Sequence, residues 1–405
     1  MEKTIRTPGS PAVAGPELQK AVILSTKNAR VAFLTNFVPP YRAPVLRELS
    51  AQVGTFRTFV STKMEANRSW APDWSGLDVQ VQKSLSFKKL DRHPSGYTQE
   101  TYLHVPYDTL PHLAKFQPHV VISGELGPRT IQSVLYRVAN PRCRLIIHAD
   151  LSEHTELGRG RAKEMIRGWM LKTADAVLVN GASGARYVRT LGVPETKIFA
   201  VPYATDTSIY ADISRTNDRS DIIKLLHVGQ LIERKGIVQF IHALVEWAKK
   251  HSSQGLELRL IGDGPLREAI RAVQTPTNLK IEMNLKIEYS DMPQAYAQAD
   301  LLVLPTLADS WGLVVNEAMA TGLPILGSIK SQAVEDLVKD GESGWLFDPD
   351  DSNAVHSALD RALSTPKEMI KQSGEQARRL AVGLNAGFAA ERTLRAIEFC
   401  LRGSN

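Results

Sequence analysis

Cysteine is nearly absent: of 405 residues only Cys143 and Cys400 carry a thiol. That excludes a disulfide scaffold or a cysteine metal site and fits a reducing cytoplasm. Long apolar runs are missing as well. The longest clean ones, AVILS near the start and LLVLP at 301–305, fall far short of the ~18–20 residues that a membrane-crossing helix needs. No signal-peptide pattern is visible at the N-terminus, so a cytoplasmic chain is expected. Short repeats and low-complexity tracts are also absent.

What is present is the composition of a soluble globular protein, 43% hydrophobic and 23% charged. The length allows two domains, each with its own core. Residues 1–27 are rich in Pro, Gly and small side chains and read as a flexible arm. Charge is unevenly spread. Residues 1–216 hold 28 basic and 18 acidic side chains, a balance of +10, while the remainder holds 21 and 25, a balance of −4. Such asymmetry points one half toward an anionic partner: nucleic acid, anionic lipid or a phosphorylated substrate.

Strand-like and helix-like stretches alternate through the first half. RVAFLT (30–35), TFRTFV (55–60), HVVIS (119–123), RLIIH (144–148), AVLVN (176–180) and KIFAVP (197–202) are separated by apolar-periodic segments. After a polar break, SRTNDRSD (214–221), the pattern restarts with IIKLLHVG (222–229), LELRLIG (256–262), LKIEY (285–289), LLVLP and PILGS. This alternation predicts βαβ units and an α/β protein with two doubly wound parallel sheets. The expected organisation is a first domain at 28–213, a hinge at 214–221, a second domain at 222–383 and a C-terminal helical segment at 384–405.

Ligands of open parallel sheets bind beyond the carboxyl ends of the strands. Several unusual clusters fall there: NFVPPYR (36–42), SGELG (123–127), HADLSEH (148–154), GQLIERKG (229–236) and LADSWGLVVNEAMATGLP (307–324). Arg234 and Lys235, in a turn before a helix, can neutralise a diphosphate whose charge grows as a bond to it breaks. Taken alone, the loop reads more readily as a solvated basic turn with a glycine. In the last cluster seven residues separate Asp309 from Glu317. A helix starting near Trp311–Gly312 offers free N–H groups to phosphate, and two flanking carboxylates suit sugar hydroxyls. Spacing alone leaves open a plain N-cap at Asp309 or Ser310 and a solvent-facing Glu317.

Together these stretches resemble the family 4 retaining glycosyltransferases, which have the GT-B fold of two Rossmann-like domains facing across a cleft. DSWGLVVNEAMATGLPI resembles their E-x7-E signature, GQLIERKG their G-R-L-x-x-x-K-G loop, and LRLIGDGPLREAI their G-x-G-P helix start. DGESGWLFDPDD resembles their D-G-x-x-G segment, and the stretch from AVLVN to PYATD their run into P-x-x-x-D. The order holds over roughly residues 29–400, and NFVPPYRAPVLREL and WGLVVNEAMA are most similar to members that build bacterial cell-surface polysaccharides (lipopolysaccharide or exopolysaccharide).

The resemblance implies that 28–213 binds an acceptor, 222–383 binds a UDP- or GDP-sugar donor, and 384–405 packs back toward the first domain. It implies that Lys235, with Arg234 and Gln230 beside it, meets the donor diphosphate, and that Glu317 meets the ribose. Asp309 and the backbone from Ser310 through Trp311 and Gly312 to Leu313 would hold the transferred sugar and phosphate. His148 falls where relatives keep a histidine near the reaction centre, so His148, Asp309 and Lys235 are the catalytic candidates; His154 is a weaker one. Pro40, Tyr41 and Arg42 lie on the acceptor side, and Glu125 is either a cleft acid or a surface acid. No cofactor or metal is implied, and the D-x-D within DPDD (348–351) reads as a turn and helix cap.

Three departures stand out. Asp309 replaces the usual Glu, Gln230 replaces the usual Arg, and prolines replace the glycines common in the first loop. Two other classes remain open: a nucleotide-sugar epimerase or hydrolase of the same fold, and a non-catalytic donor-binding relative. A dehydrogenase is disfavoured, since GDGPLRE lacks the third glycine of a dinucleotide fingerprint.

The segment RGRAKEMIRGWMLK (159–172) sets Arg159, Arg161, Lys163, Arg167 and Lys172 among Met165, Ile166, Trp169, Met170 and Leu171. It reads either as a basic amphipathic helix on an anionic membrane or as ordinary packing on the sheet. FKKLDRH (87–93) adds charge nearby. The expected partners are a nucleotide sugar, a glycan or polyprenyl-linked acceptor and the inner face of the cytoplasmic membrane. Nucleic acid is not expected, because no recognised module or aromatic–basic interleaving occurs.

Overall fold

A computed structural model describes residues 26–65, 73–204, 206–211, 213, 220–285 and 287–402. Most of the expected N-terminal arm (1–25) and hinge (214–219) lies outside the described residues.

The first domain is built from β1 (Arg30–Thr35), α1 (Arg42–Gln52), β2 (Thr55–Val60), β3 (Val79–Val81), β4 (Ser84–Arg92), β5 (Thr98–Pro106), α2 (Thr109–Phe116), β6 (Val120–Gly124), α3 (Pro128–Ala139), β7 (Arg144–Ala149), α4 (Arg161–Thr173), β8 (Ala176–Val179), α5 (Ala182–Thr190) and β9 (Ile198–Ala200). Seven strands form one parallel sheet in the order β3-β2-β1-β6-β7-β8-β9. Its central strands are apolar without alternation, because helices cover both faces. β1 and β7 are almost wholly buried. Two clusters, around Val31, Ile122 and Ile146 on one side and Leu34, Val121 and Ile147 on the other, form the cores of the two faces.

The second domain follows the four-residue α6 (Ser208–Ala211). It contains β10 (Ile223–Val228), α7 (Ile237–Lys250), β11 (Leu256–Ile261), α8 (Arg267–Arg271), β12 (Leu279–Asn284), α9 (Met292–Ala297), β13 (Leu301–Leu304), α10 (Leu313–Ala320), β14 (Ile325–Ser328), α11 (Gln332–Leu337), β15 (Gly344–Phe347), α12 (Ser352–Leu363) and α13 (Lys367–Ala381), and α14 (Ala386–Arg402) ends the chain. Its sheet runs β12-β11-β10-β13-β14-β15, all parallel.

Four departures from the sequence reading have physical causes. The chain carries LKIE twice, and the strand is the first copy, Leu279–Asn284, rather than 285–289; the first copy follows β11 closely enough to pair with it along its whole length. Tyr210 is fully buried in the second domain's core beside Tyr296, so the chain has changed domains before residue 213. The helix after Asp309 starts at Leu313, one to two residues later than expected, because Gly312 has φ +108. Residues 84–106, unassigned in sequence, form an antiparallel ribbon of β4 and β5 paired with neither main sheet.

The last helix returns to the first domain. Ala389, Ala390, Ala396, Ile397 and Cys400 of α14 are buried in the same cluster as Val31, Leu46 and Ile122, and α14 packs along α1.

Candidate functional site

Each sheet has one topological switch point, where successive connections leave in opposite directions: between β1 and β6, and between β10 and β13. A crevice opens at such a point, beyond the carboxyl ends of the strands. The loops there are 36–41 and 125–127 in one domain and 229–236 and 305–312 in the other.

On the second domain, a one-turn helix Glu233–Lys235 ends at Gly236, which has φ +64; a Cβ there would sit 2.1 Å from the Pro305 carbonyl oxygen. The loop after β13 is thereby clamped. Leu307 N–H donates to the Arg234 carbonyl at 2.8 Å, and the Arg234 guanidinium donates to the Ala308 carbonyl at 2.8 Å. Lys235 Nζ pairs with Asp309 Oδ2, and Arg234 lies 3.5 Å from Oδ1. Burial raises the cost of the Asp309 charge, but Lys235 and Arg234 overcome it and hold the carboxyl at about 2.

Gly312 is required here. A Cβ would meet Ser331 Oγ at 2.6 Å, and its left-handed conformation turns the chain into α10. No side chain caps this helix, and among the described residues the N–H groups of Gly312, Leu313 and Val314 find no protein acceptor. They form an anion-binding end. The Trp311 side chain does not line this end. It is 1% exposed, packed in the core, with Nε1 donating to Asn316 Oδ1 at 2.8 Å; only its backbone remains near Asp309. Ser310 contributes its carbonyl as an anchor, accepting from Asn180 Nδ2 (3.3 Å) and from Gln332 Nε2.

Glu317 is not solvent-facing. It is buried, with the Tyr296 hydroxyl donating to Oε2 at 2.6 Å. Burial pushes its carboxyl up to about 7, against the pull of the Tyr296 and Tyr210 hydroxyls. Gln230 lies half-buried in the loop after β10. Asp351 caps α12 through Asn353 and Ala354 N–H, while Asp348 and Asp350 pair with Lys330, so DPDD is a turn and cap.

On the first domain, His148 is the penultimate residue of β7 and is 7% exposed. Its Nε2 is 3.0 Å from Asp150 Oδ1. Burial lowers its pKa, Asp150 and Asn180 pull it back up, and Arg42 reinforces the drop. Arg42, buried at the start of α1, donates to Asp150 Oδ2 at 3.0 Å and lies over the Tyr203 ring at 5.3 Å. Tyr41 packs against Tyr203, with ring centroids 5.3 Å apart, and Pro40 is exposed. Asn180 spans the cleft: it neighbours His148 on one side and bonds the Ser310 carbonyl of the other domain. His148 and the Asp309–Leu313 loop are thus brought together. His154 lies half-buried further along the loop after β7.

Sequence reasoning missed Asp150 and Tyr203. Asp150 sits two residues past a strand end, within a quoted cluster, and the signal that could have found it was a carboxylate next to a candidate histidine. Glu125 is exposed at the switch point of the first sheet yet pinned there: Asn36 Nδ2 lies 2.6 Å from each of its oxygens, and its φ of +68 is unusual for a non-glycine residue.

A pair of doubly wound sheets joined at their switch points by these loops defines the GT-B fold, and residues 211–380 match the family model described as glycosyl transferases group 1. Among solved structures, the chain is similar to a sucrose-phosphate synthase from Thermosynechococcus elongatus, with 17% identity, a TM-score of 0.66 and coverage of 90% of this chain and 97% of that one. It is likewise similar to HepE of Anabaena in complex with UDP-glucose, with 15% identity, a TM-score of 0.64 and coverage of 91% and 99%. These likenesses are of fold.

Curated relatives include the MMP alpha-(1->4)-mannosyltransferase of Mycolicibacterium hassiacum, 26% identical over 51% of this chain and 49% of the relative. Another is the GDP-mannose-dependent alpha-(1-6)-phosphatidylinositol monomannoside mannosyltransferase of Mycolicibacterium smegmatis, 25% identical over 82% and 89%. The putative colanic acid biosynthesis glycosyltransferase WcaL of Salmonella typhimurium is 23% identical over 51% and 55%. The chain spans about half the length of the first and third of these.

Proposed function

We propose that the protein is a retaining glycosyltransferase that moves a sugar from a UDP- or GDP-sugar to a hydroxyl of a glycan or lipid-linked acceptor in bacterial surface polysaccharide synthesis. The observation that carries this reading is the meeting, across Asn180, of two unlike half-sites: His148 with Asp150 and Arg42, and an uncapped helix end flanked by Asp309, Arg234 and Lys235. The second is suited to a sugar diphosphate, the first to a hydroxyl approaching its anomeric carbon.

In this reading the bond from the anomeric carbon to the diphosphate oxygen breaks while the acceptor oxygen bonds to the same face. The acceptor proton passes to the departing phosphate. Lys235, Arg234 and the free N–H groups of Gly312, Leu313 and Val314 take up the charge that develops on the phosphate, a contribution worth ~10²–10³ in rate per well-placed donor. His148, kept neutral by burial, sits against the sugar, and Glu317 with Gln230 meets the nucleoside side. Neither a metal nor a cofactor is required.

The outer face of α4 supports a peripheral site on the cytoplasmic leaflet. Met170 and Leu171 pack inward, whereas Met165, Ile166 and Trp169 are 72%, 47% and 47% exposed beside Arg161, Lys163 and Lys172. Arg167 does not belong to that face, being buried against Glu156 and Tyr187. Leu85, Phe87 and Leu90 of β4 add exposed apolar surface next to Lys88 and Lys89. Among the described residues no helix is long and apolar enough to cross a membrane.

The test is a screen of nucleotide sugars by thermal shift, followed by product analysis with lipid-linked glycans. A glycoside whose anomeric configuration matches the donor supports the proposal. Free nucleotide without a glycoside, or donor binding without turnover on any acceptor, overturns it.

A further inference from the structure

The β4–β5 ribbon belongs to the first domain, yet its tip lies on the second. The turn is held tightly: His93 N–H donates to the Tyr97 carbonyl at 2.8 Å, Gly96 N–H to the His93 carbonyl at 2.9 Å, and Ser95 N–H to His93 Nδ1 at 3.1 Å. The rings of His93 and Tyr97 stack at 4.4 Å with planes 9° apart. From this clamp Tyr97 reaches a three-residue apolar cluster with Leu307 and Ala308 and is 1% exposed. Thr98 N–H donates to Glu233 Oε2 at 2.7 Å. Both anchors on the second domain are next to site residues: Glu233 precedes Arg234 and Lys235, and Ala308 precedes Asp309.

The rest of the ribbon contrasts with its tip. Most of β4 is exposed, while β5 is held to the first domain by α3, with Gln132 Nε2 donating to the Pro106 carbonyl at 2.6 Å, and Arg159 lies 3.9 Å from Asp91 near the tip. Tyr97 itself is covered by Leu307 and Ala308, so its burial depends on the second domain being in place. The Ala308 carbonyl accepts from Arg234 while the Tyr97 ring packs against the same residue, so the loop is gripped between the two domains.

We infer that Tyr97 is a positioning residue for Asp309, delivered from the other domain by the β4–β5 ribbon. The grip of Lys235 and Arg234 on the sugar-holding carboxylate, and of the Lys330 carbonyl on its backbone N–H, lies within the second domain and is completed by a contact from the first. The inference rests on the glycosyltransferase reading and adds to it a requirement on turnover rather than on donor capture. The diphosphate and nucleoside contacts lie wholly within the second domain and form without the ribbon. A carboxylate misplaced by about 1 Å costs on the order of 10²-fold in rate.

The experiment compares the full-length protein with Tyr97→Ala, Tyr97→Phe and Glu317→Gln. Transfer kinetics and calorimetric binding of UDP and GDP are measured together with hydrogen exchange over 305–312. Tyr97→Ala is expected to lower kcat by ~10–100-fold with nucleotide Kd within about threefold of wild type, and to speed exchange at 307–309. Tyr97→Phe, which keeps the packing, is expected to restore both. Glu317→Gln is expected to do the reverse, weakening nucleotide binding while leaving exchange at 307–309 unchanged. An unchanged kcat and unchanged exchange in Tyr97→Ala would overturn the inference, as would a kcat loss fully explained by lost nucleotide affinity. If wild type transfers no sugar, the functional reading fails on its own, and the exchange of 307–309 still decides whether Tyr97 holds the loop.

Discussion

Lys235 Nζ and Asp309 Oδ2, 74 residues apart in the chain, are joined in an ion pair that is largely shielded from water, with Arg234 3.5 Å from the other carboxylate oxygen. The pair is a competition in waiting. In the proposed reading, a diphosphate arriving at the uncapped end of α10 would draw on the same cations that hold Asp309 and would release part of their grip on it.

Lys235→Ala is expected to lower transfer by ~10²–10³-fold and weaken donor binding, while Lys235→Arg, which keeps the charge, is milder. The pH dependence has a definite sign. The Asp309 carboxyl is depressed from 3.8 to about 2, so its pairing contributes stability above the ordinary carboxylate range and loses it as pH falls through about 2. In acid titrations followed by circular dichroism, Lys235→Ala should lose part of this acid-side slope.

Glu317 has the opposite sign. Its carboxyl rises from 4.5 to about 7, so the folded state holds the proton more tightly than the unfolded chain. Stability contributed by this group is fully present below about 4.5 and is lost as pH rises through about 7. The span corresponds to roughly 3 kcal/mol. Denaturant melts at pH 5 and pH 8 should show Glu317→Gln closing most of the gap seen in wild type, while nucleotide binding weakens at both values.

Asp150→Ala leaves the buried Arg42 without its carboxylate, and breaking such a pair costs ~3–5 kcal/mol. Asp150→Asn keeps the shape and is expected to cost less stability, yet to lower kcat by ~10–100-fold because His148 loses the charge 3.0 Å from Nε2. Thermal melts read the first effect and steady-state transfer the second. Equal melting temperatures for the two variants would refute the assignment.

Met165→Glu with Trp169→Glu replaces two exposed apolar side chains on the outer face of α4. Flotation with phosphatidylglycerol vesicles should drop several-fold, while transfer to a soluble acceptor stays at the wild-type level. Wild type that fails to float with such vesicles in low salt would count against membrane association altogether.

Much of this site can be read from residue types because its parts are local. Gly236 and Gly312 mark forced turns, Arg234 and Lys235 follow a strand, and the uncapped helix after Asp309 is a property of one short segment. The central strand RVAFLT was legible to the residue, since burial on both faces leaves a nearly uninterrupted apolar run, and TFRTFV was legible from its β-branched and aromatic residues. What stayed hidden depends on partners far away in the chain. Asp150 acquires meaning only beside Arg42, and Glu317, though named as a site residue, shows its burial only beside Tyr296. Trp311 was expected to offer only its backbone, and that its side chain is core was not legible because core and cleft residues share one loop. The ribbon at 84–106 was missed because its strands mix polar and apolar residues, β4 mostly exposed and β5 mostly half-buried or buried, without the apolar run that marked the others.

The return of α14 to the first sheet has a consequence for the order in which the molecule is made. Ala389, Ala390, Ala396, Ile397 and Cys400 fill a cluster whose other members, from Ala29 to Ala204, are complete about 185 residues before Ala389 leaves the ribosome. At ~5–20 residues per second, that part of the first core waits about 10–40 s uncovered while the second domain is synthesised. During that interval α1, which carries Arg42, has an apolar face turned to water. Clipping the last twenty residues would therefore injure the beginning of the protein rather than its end, and an exposed nascent core of this kind is a natural client for a chaperone.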